Sequence, residues 1–153
     1  MSPYRRILVP VDGSPTSSKG LREALRLAKA GRAKLCIVHV VDEFYAFAGV
    51  EGMGPAQDLL PAFRQGGEKV LAKAKRMADS AGVRASTVLR EMIGGPAAGP
   101  ILREARKQRA DLIVLGTHGR RGVRRLVLGS DAEQVVRNST VPVLLVRASS
   151  RSG

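Results

Sequence analysis

Apolar residues in this chain gather in short continuous runs instead of alternating with polar ones. Four runs stand out, RILVPV (6–11), KLCIVHVV (34–41), DLIVLG (111–116) and VPVLLVR (141–147), and a weaker fifth is RASTVLREM (84–92). Unbroken apolar runs of this length are how strands read when helices cover both faces of their sheet. Between the runs the spacing turns helical. Residues 14–31 open with cap-type residues and Pro15, place Leu21, Leu25 and Ala28 on one face, and end at Gly31. Residues 66–82 repeat the design with Val70, Ala74 and Met77 inward and Gly82 past the end, and 99–110 is a shorter version. The stretch SDAEQVVRNS (130–139) predicts a last helix with Ser130 as N-cap and Glu133 completing a capping box.

Strands alternating with helices predict βαβ units and a parallel sheet. No internal repeat, low-complexity tract or linker interrupts them, so residues 1–153 read as one domain with its core at about 4–147. Only 42–66 resists assignment. It holds most of the aromatics with Gly and Pro and is too long for an idle connection, and it reads as a mobile flap with some helical character.

Charge changes the picture next. Twenty-six Lys and Arg face 13 Asp and Glu, a formal net charge of +13. Such a surface attracts polyanions, although a solvated basic coat explains the bulk charge equally well. Two Tyr, three Phe and no Trp leave few platforms for stacking single-stranded bases, so nucleic acid is a secondary expectation. Cys36 is the only cysteine and sits among Leu35 and Ile37, which predicts a buried structural thiol and a reducing compartment. No signal-type h-region or apolar span long enough for a membrane appears, so a soluble cytoplasmic protein with no membrane partner is expected.

In an open parallel sheet, ligands bind beyond the carboxyl ends of the strands. Three segments fall there: PVDGS after the first run, VVDE after the second, and GTHGRRGVRRLVLGS (116–130) after the fourth. Asp12 is placed either to accept hydrogen bonds from a base or ribose or to form an Asp turn into the first helix. Gly116 and Gly119 leave backbone amides open to a ligand, and Gly129 precedes the last helix, whose free N–H groups suit phosphate. Arg120, Arg121, Arg124 and Arg125 add charge that matches phosphate oxygens. Neither a P-loop nor a G-x-G-x-x-G after a strand is present. His39, mid-strand, reads as a core residue, and no catalytic trio, paired carboxylates or metal-spaced cluster is evident.

Gly116, Gly119, Gly129 and Ser130 fit G-x2-G-x9-G-[S/T], and with it the chain resembles the ATP-binding branch of the universal stress protein family. ILVPVDGS, HVVDE, the Gly94-Gly95-Pro96 turn, DLIVLGTHGR, LVLGS and STVPVLLVR are similar to family segments in the same order, from Tyr4 to Arg147. The resemblance implies a three-layer α/β fold, Rossmann-like, with an open five-stranded parallel sheet in the order 3-2-1-4-5. It implies a site for ATP, with Mg or Mn as possible companion. By motif position, Pro10, Val11, Asp12 and Val40 line the adenine and ribose end, Gly116 and Gly119 meet the ribose and first phosphates, and Gly129 and Ser130 hold the outer phosphates. His118 and Arg120 fall in the same loop, His118 either contacting phosphate or a metal-bound water or serving only position. Asp131 departs from the family, which has a small or apolar residue there; it repels a phosphate, turns to solvent or helps bind a metal. The expected protein is a nucleotide-responsive stress regulator, a homodimer through the edge strand Val141–Arg147. The alternatives are a slow ATPase or nucleotidyl transferase on the same fold, and a basic nucleic-acid binder.

Overall fold

The structure is a computed structural model that describes residues 2–44, 59–117 and 128–147. Ile7, Leu8 and Val9 are all buried, yet the pleat sends them to two different layers. They belong to β1 (Arg6–Pro10), which pairs in parallel with β2 (Lys34–Asp42) on one side and β4 (Leu112–Gly116) on the other. β3 (Ala85–Met92) adds to β2 and β5 (Val143–Val146) to β4, giving the order β3-β2-β1-β4-β5. The expected sheet and its order are therefore what the chain adopts.

Helices α1 (Pro15–Gly31) and α2 (Leu60–Ser80) cover one face, packing Leu21, Leu25, Leu71 and Ala74 on Ile7, Val9, Leu35 and Val114. Helices α3 (Ala98–Lys107) and α4 (Ser130–Asn138) cover the other, with Ile101, Ala105 and Val135 on Leu8, Cys36, Val38 and Ile113. Alternate residues of one strand thus serve opposite layers, which is why the runs are apolar throughout. Burial of the Cys36 thiol raises its pKa, as suits a packed side chain without a base.

Two elements, α2 and β5, start away from where the sequence reading puts them for reasons the structure shows. α2 begins at Leu60, so 60–66 are helix, while Asp42 ends β2 and 45–58 lie outside the described residues. β5 begins at Val143 because Ser139 makes a local turn, its hydroxyl accepting from the Val141 N–H (3.1 Å).

Helices α1, α2 and α3 leave by the same turn. The amides of Ala33, Val83 and Ala110 donate to the carbonyls of Ala28, Ala78 and Ala105, five residues back, at 2.9, 3.0 and 2.9 Å. The residue before each is left-handed: Arg32, Gly82 and Arg109.

Candidate functional site at the carboxyl end of the sheet

Strand order reverses between β1 and β4, so a crevice opens where their carboxyl ends part. Pro10, Val11 and Asp12 stand on one side and Gly116 and Thr117 on the other. Val40 lies on β2, packed against the α3/α4 layer, the same layer that carries the start of α4. The structure thus brings the expected residues of the first two strands to one end of the sheet, with Gly116, Gly129 and Ser130. His118, Gly119 and Arg120 lie outside the described residues, as do Arg121, Arg124 and Arg125.

The β1 end is held from several directions. The Val11 N–H donates to the Val38 carbonyl (2.8 Å), and the Val11 carbonyl accepts from Nδ1 of His39 (2.7 Å). His39 is 6% exposed, a core residue as its mid-strand position predicts. Its function on this geometry is to fix the backbone of the loop. Asp12 Oδ1 accepts from the Ser14 N–H (2.8 Å), and the Asp12 N–H donates to the Ser17 hydroxyl (3.0 Å). Asp12 therefore forms the turn that feeds α1, where Ser14 caps the helix by accepting from the Ser17 N–H (3.2 Å).

Gly116 is glycine for a packing reason that sequence reading missed. A Cβ there would stand 2.8 Å from the Thr16 carbonyl oxygen and 2.9 Å from its carbon and Cγ2. The first turn of α1 rests directly on the end of β4. The next residue, Thr117, ties three elements together. Its N–H donates to the Val146 carbonyl of β5, and its carbonyl accepts from the Gly129 N–H, both at 3.0 Å. Its Oγ1 is buried and has no hydrogen-bond partner among the described residues. A buried hydroxyl left unpaired is costly and is uncommon in native proteins.

The start of α4 corrects the expected cap. Gly129, not Ser130, is the N-cap, because its carbonyl already accepts from the Glu133 N–H (2.9 Å). Ser130 is then the first helical residue, exposed, and Glu133 falls one place too late for a capping box. Among the described residues no side chain caps this helix, which leaves its first amides without a side-chain partner there, as a helix start that takes a ligand requires. A Cβ at Gly129 would sit 3.3 Å from the Thr117 carbonyl oxygen, a tight contact and the one it would make among the described residues. These two features, an orphaned buried hydroxyl and an uncapped helix start beside it, fit a phosphate-bearing ligand.

Asp131 is exposed but does not simply turn to solvent, and it faces no metal-binding group among the described residues; it reaches across to the neighbouring helix of its layer. Its Oδ1 accepts from the Ala97 N–H (2.8 Å), so the carboxylate caps the start of α3. At the β2 and β3 ends, Asp42 Oδ1 accepts from the amides of Phe44 and Gly94 (2.9 Å each). Arg64 forks onto Glu91 through Nε (2.5 Å) and a terminal nitrogen (3.0 Å). The Arg64 hydrogen bond holds the Glu91 carboxyl below its usual range, and a hydrogen bond to Glu91 pushes Glu43 up. Among the described residues no group of three His, Cys, Asp or Glu is placed to hold a metal ion.

An open parallel sheet with helices on both faces and a crevice at its strand-order reversal defines the class, a Rossmann-like α/β protein. Its sequence matches the universal stress protein family over residues 3–147, and the chain belongs to that family. It is 38% identical over 144 residues to universal stress protein MJ0531 of Methanocaldococcus jannaschii, covering 94% of this chain and 82% of that one. Among solved structures, a protein of the family from Burkholderia pseudomallei is similar at 36% identity with a TM-score of 0.75, covering 95% and 97% of the two chains. A universal stress protein solved in complex with cAMP is similar at 26% identity with a TM-score of 0.65, covering 95% and 98%. Among the described residues no helix is long and apolar enough to cross a membrane.

Proposed function

We propose that this chain is an adenine-nucleotide-binding stress regulator whose ligand, ATP or a smaller adenine nucleotide, lies in the crevice between β1 and β4. The observation that carries this reading is the unpartnered Thr117 hydroxyl beside the uncapped Gly129 helix start. The relative solved with cAMP supports an adenine nucleotide as the ligand class. Pro10, Val11, Asp12 and Val40 serve the base and ribose, Gly116 and Gly119 the first phosphates, and Gly129 and Ser130 the outer ones, with His118 and Arg120 from the same loop. Magnesium or manganese accompanies the phosphates. Binding changes the conformation of the site and with it the surface offered to a partner. The reading is one of binding rather than turnover, in a cytoplasmic homodimer joined through the β5 edge.

Thr117→Val tests it. The change keeps the side-chain shape and removes a hydroxyl that has no partner among the described residues, so unliganded stability is expected to hold or rise. Nucleotide affinity is expected to fall by about 1 kcal/mol, roughly fivefold, by calorimetry. Equal affinity for ATP, AMP and cAMP in variant and wild type would remove Thr117 and this crevice from the reading. Denaturing freshly purified protein and identifying the released nucleotide decides between ATP and its relatives.

A further inference from the structure

The chain has a second concave surface, at the pole opposite the crevice. A cleft of about 690 Å3 lies against the amino ends of β2, β1 and β4 and is flanked by the ends of α1 and α3. Arg5, Arg6, Arg32, Lys34 and Arg109 line it, against a single acid, Asp111. None of the five bases forms an ion pair with a described acid, whereas Arg26, Arg64, Lys75, Arg90 and Arg137 each do. Both Asp111 oxygens are already engaged, Oδ2 by the Arg5 N–H (2.8 Å) and Oδ1 by the Arg6 N–H (3.0 Å). The acid clamps the backbone of the two arginines to β4.

The bland account is that basic residues gather at helix carboxyl ends to offset the helix dipole. The three equivalent helix exits argue against it. α1 and α3 already carry Lys29, and Arg106 with Lys107, in their last turns. Each nevertheless adds an arginine at the left-handed position that follows, with φ of 52° at both Arg32 and Arg109. α2 has no basic residue in its last turn, yet its left-handed residue is Gly82 (φ 71°). Dipole compensation predicts the reverse pattern. What separates the exits is place: the two that carry arginine border the cleft, and the Gly82 exit leads to edge strand β3. Arginine is held there in a backbone conformation that glycine adopts at no steric cost.

We propose that this cleft binds a compact oligophosphate, a ligand with several closely spaced phosphate groups. Four arginines line the cleft, and the planar guanidinium fork matches phosphate oxygens. The volume lies in the range of small-ligand sites, and a concave mouth suits a short anion better than the convex backbone of a duplex. The site stands apart from the nucleotide crevice, and its test does not depend on that crevice.

Arg32→Gly with Arg109→Gly removes two of the charges and relieves both left-handed positions, so the fold is retained. The probe is inorganic tripolyphosphate, titrated into the full chain by calorimetry at low salt. Wild type is expected to bind it, and the double variant to bind at least about tenfold more weakly. A control variant, Arg22→Ala with Arg84→Ala, loses two exposed charges outside the cleft and is expected to bind as wild type does. A short blunt DNA duplex should not distinguish the cleft variant from the control. An equal loss in the control, no loss in the cleft variant, or a selective loss of duplex binding without tripolyphosphate binding overturns the proposal.

Discussion

Adding one methyl group at Gly116 should destabilise the empty protein, before any ligand is considered. The new Cβ meets three atoms of Thr16 within 2.9 Å, and two of them are backbone, so no rotamer change relieves the contact. Relief requires the first turn of α1 to lift by about half an ångström. That turn is anchored by the Ser14 cap, by the Ser18 N–H to the Ser14 carbonyl (3.0 Å) and by the Asp12 N–H to the Ser17 hydroxyl (3.0 Å). Overpacking against such a support costs about 2–3 kcal/mol. For a chain of this size that lowers the melting midpoint by about 5–10 °C. Gly129→Ala is the matched control. Its Cβ meets one oxygen at 3.3 Å and its backbone, φ −56° and ψ 151°, suits alanine, so a loss of about 0.5 kcal/mol is expected. Thermal unfolding of nucleotide-stripped protein, followed by circular dichroism, measures both. A Gly116→Ala midpoint within about 2 °C of wild type, or equal to that of Gly129→Ala, refutes the packing argument.

Other expectations follow from particular contacts. Glu104 is 2% exposed; burial pushes its pKa up, but hydrogen bonds from Arg90 (2.7 Å) and Gln108 (2.7 Å), with the positive charges of Arg90 and Lys107, together outweigh burial and hold it below the usual value. A depressed folded pKa means stability that is present above the unfolded value of about 4.3 and lost as pH falls through the folded one. Arg90→Ala should therefore cost about 2 kcal/mol at pH 7 in urea unfolding, the partly exposed arginine reducing the figure, and the deficit should shrink near pH 4; an equal deficit at both pH values refutes the pairing. Asp131→Ala should lose about 1 kcal/mol with the α3 cap, and Asp131→Asn, which keeps an acceptor, about half of that. Asp12→Ala should reduce stability and nucleotide affinity together, each by about 1 kcal/mol, while Asp12→Asn keeps the turn; an Asn variant that binds as wild type does assigns Asp12 to the turn alone.

The sheet was legible because β1, β2 and β4 are buried on both faces, leaving unbroken apolar runs. β3 read weakly for the opposite reason: as an edge strand it leaves Ser86, Thr87 and Glu91 exposed. The start of α2 was hidden because residues 61–66 are exposed and carry no apolar stripe, and because Gly66 and Gly67 look like a break. Gly67 is a packing residue instead, since a Cβ there would stand 2.8 Å from His39 Cδ2 and from Leu89 Cδ1. At the site, His39 as a core residue was foreseen from position alone, whereas the turn at Asp12 was one of two readings that its position allowed. The bond between Asp131 and Ala97 joins residues far apart in the chain, which no local pattern records. Thr117 offered only its place after an apolar run. Its significance lies in a buried hydroxyl without a partner among the described residues, which only the fold reveals.

The glycines of the loop motif turn out to answer different physical demands. Gly116 is fixed by the approach of α1 to β4, and any chain that packs these two elements so closely needs glycine there whether or not it holds a nucleotide. Among the described residues Gly129 meets no such constraint from packing beyond one carbonyl oxygen, and its backbone angles are open to other residues. A serine there would provide a better cap for α4 and would also occupy the amides that a phosphate needs. The absence of a cap at 129 is thus harder to explain by folding than the glycine at 116. The case for a ligand at this pole therefore rests on Gly129 and Thr117. Leu145, an obvious position for disrupting an edge-strand dimer, packs with the α3/α4 layer. A lysine there would damage the core before it reported on assembly, so the dimer is better tested by light scattering of the unaltered chain.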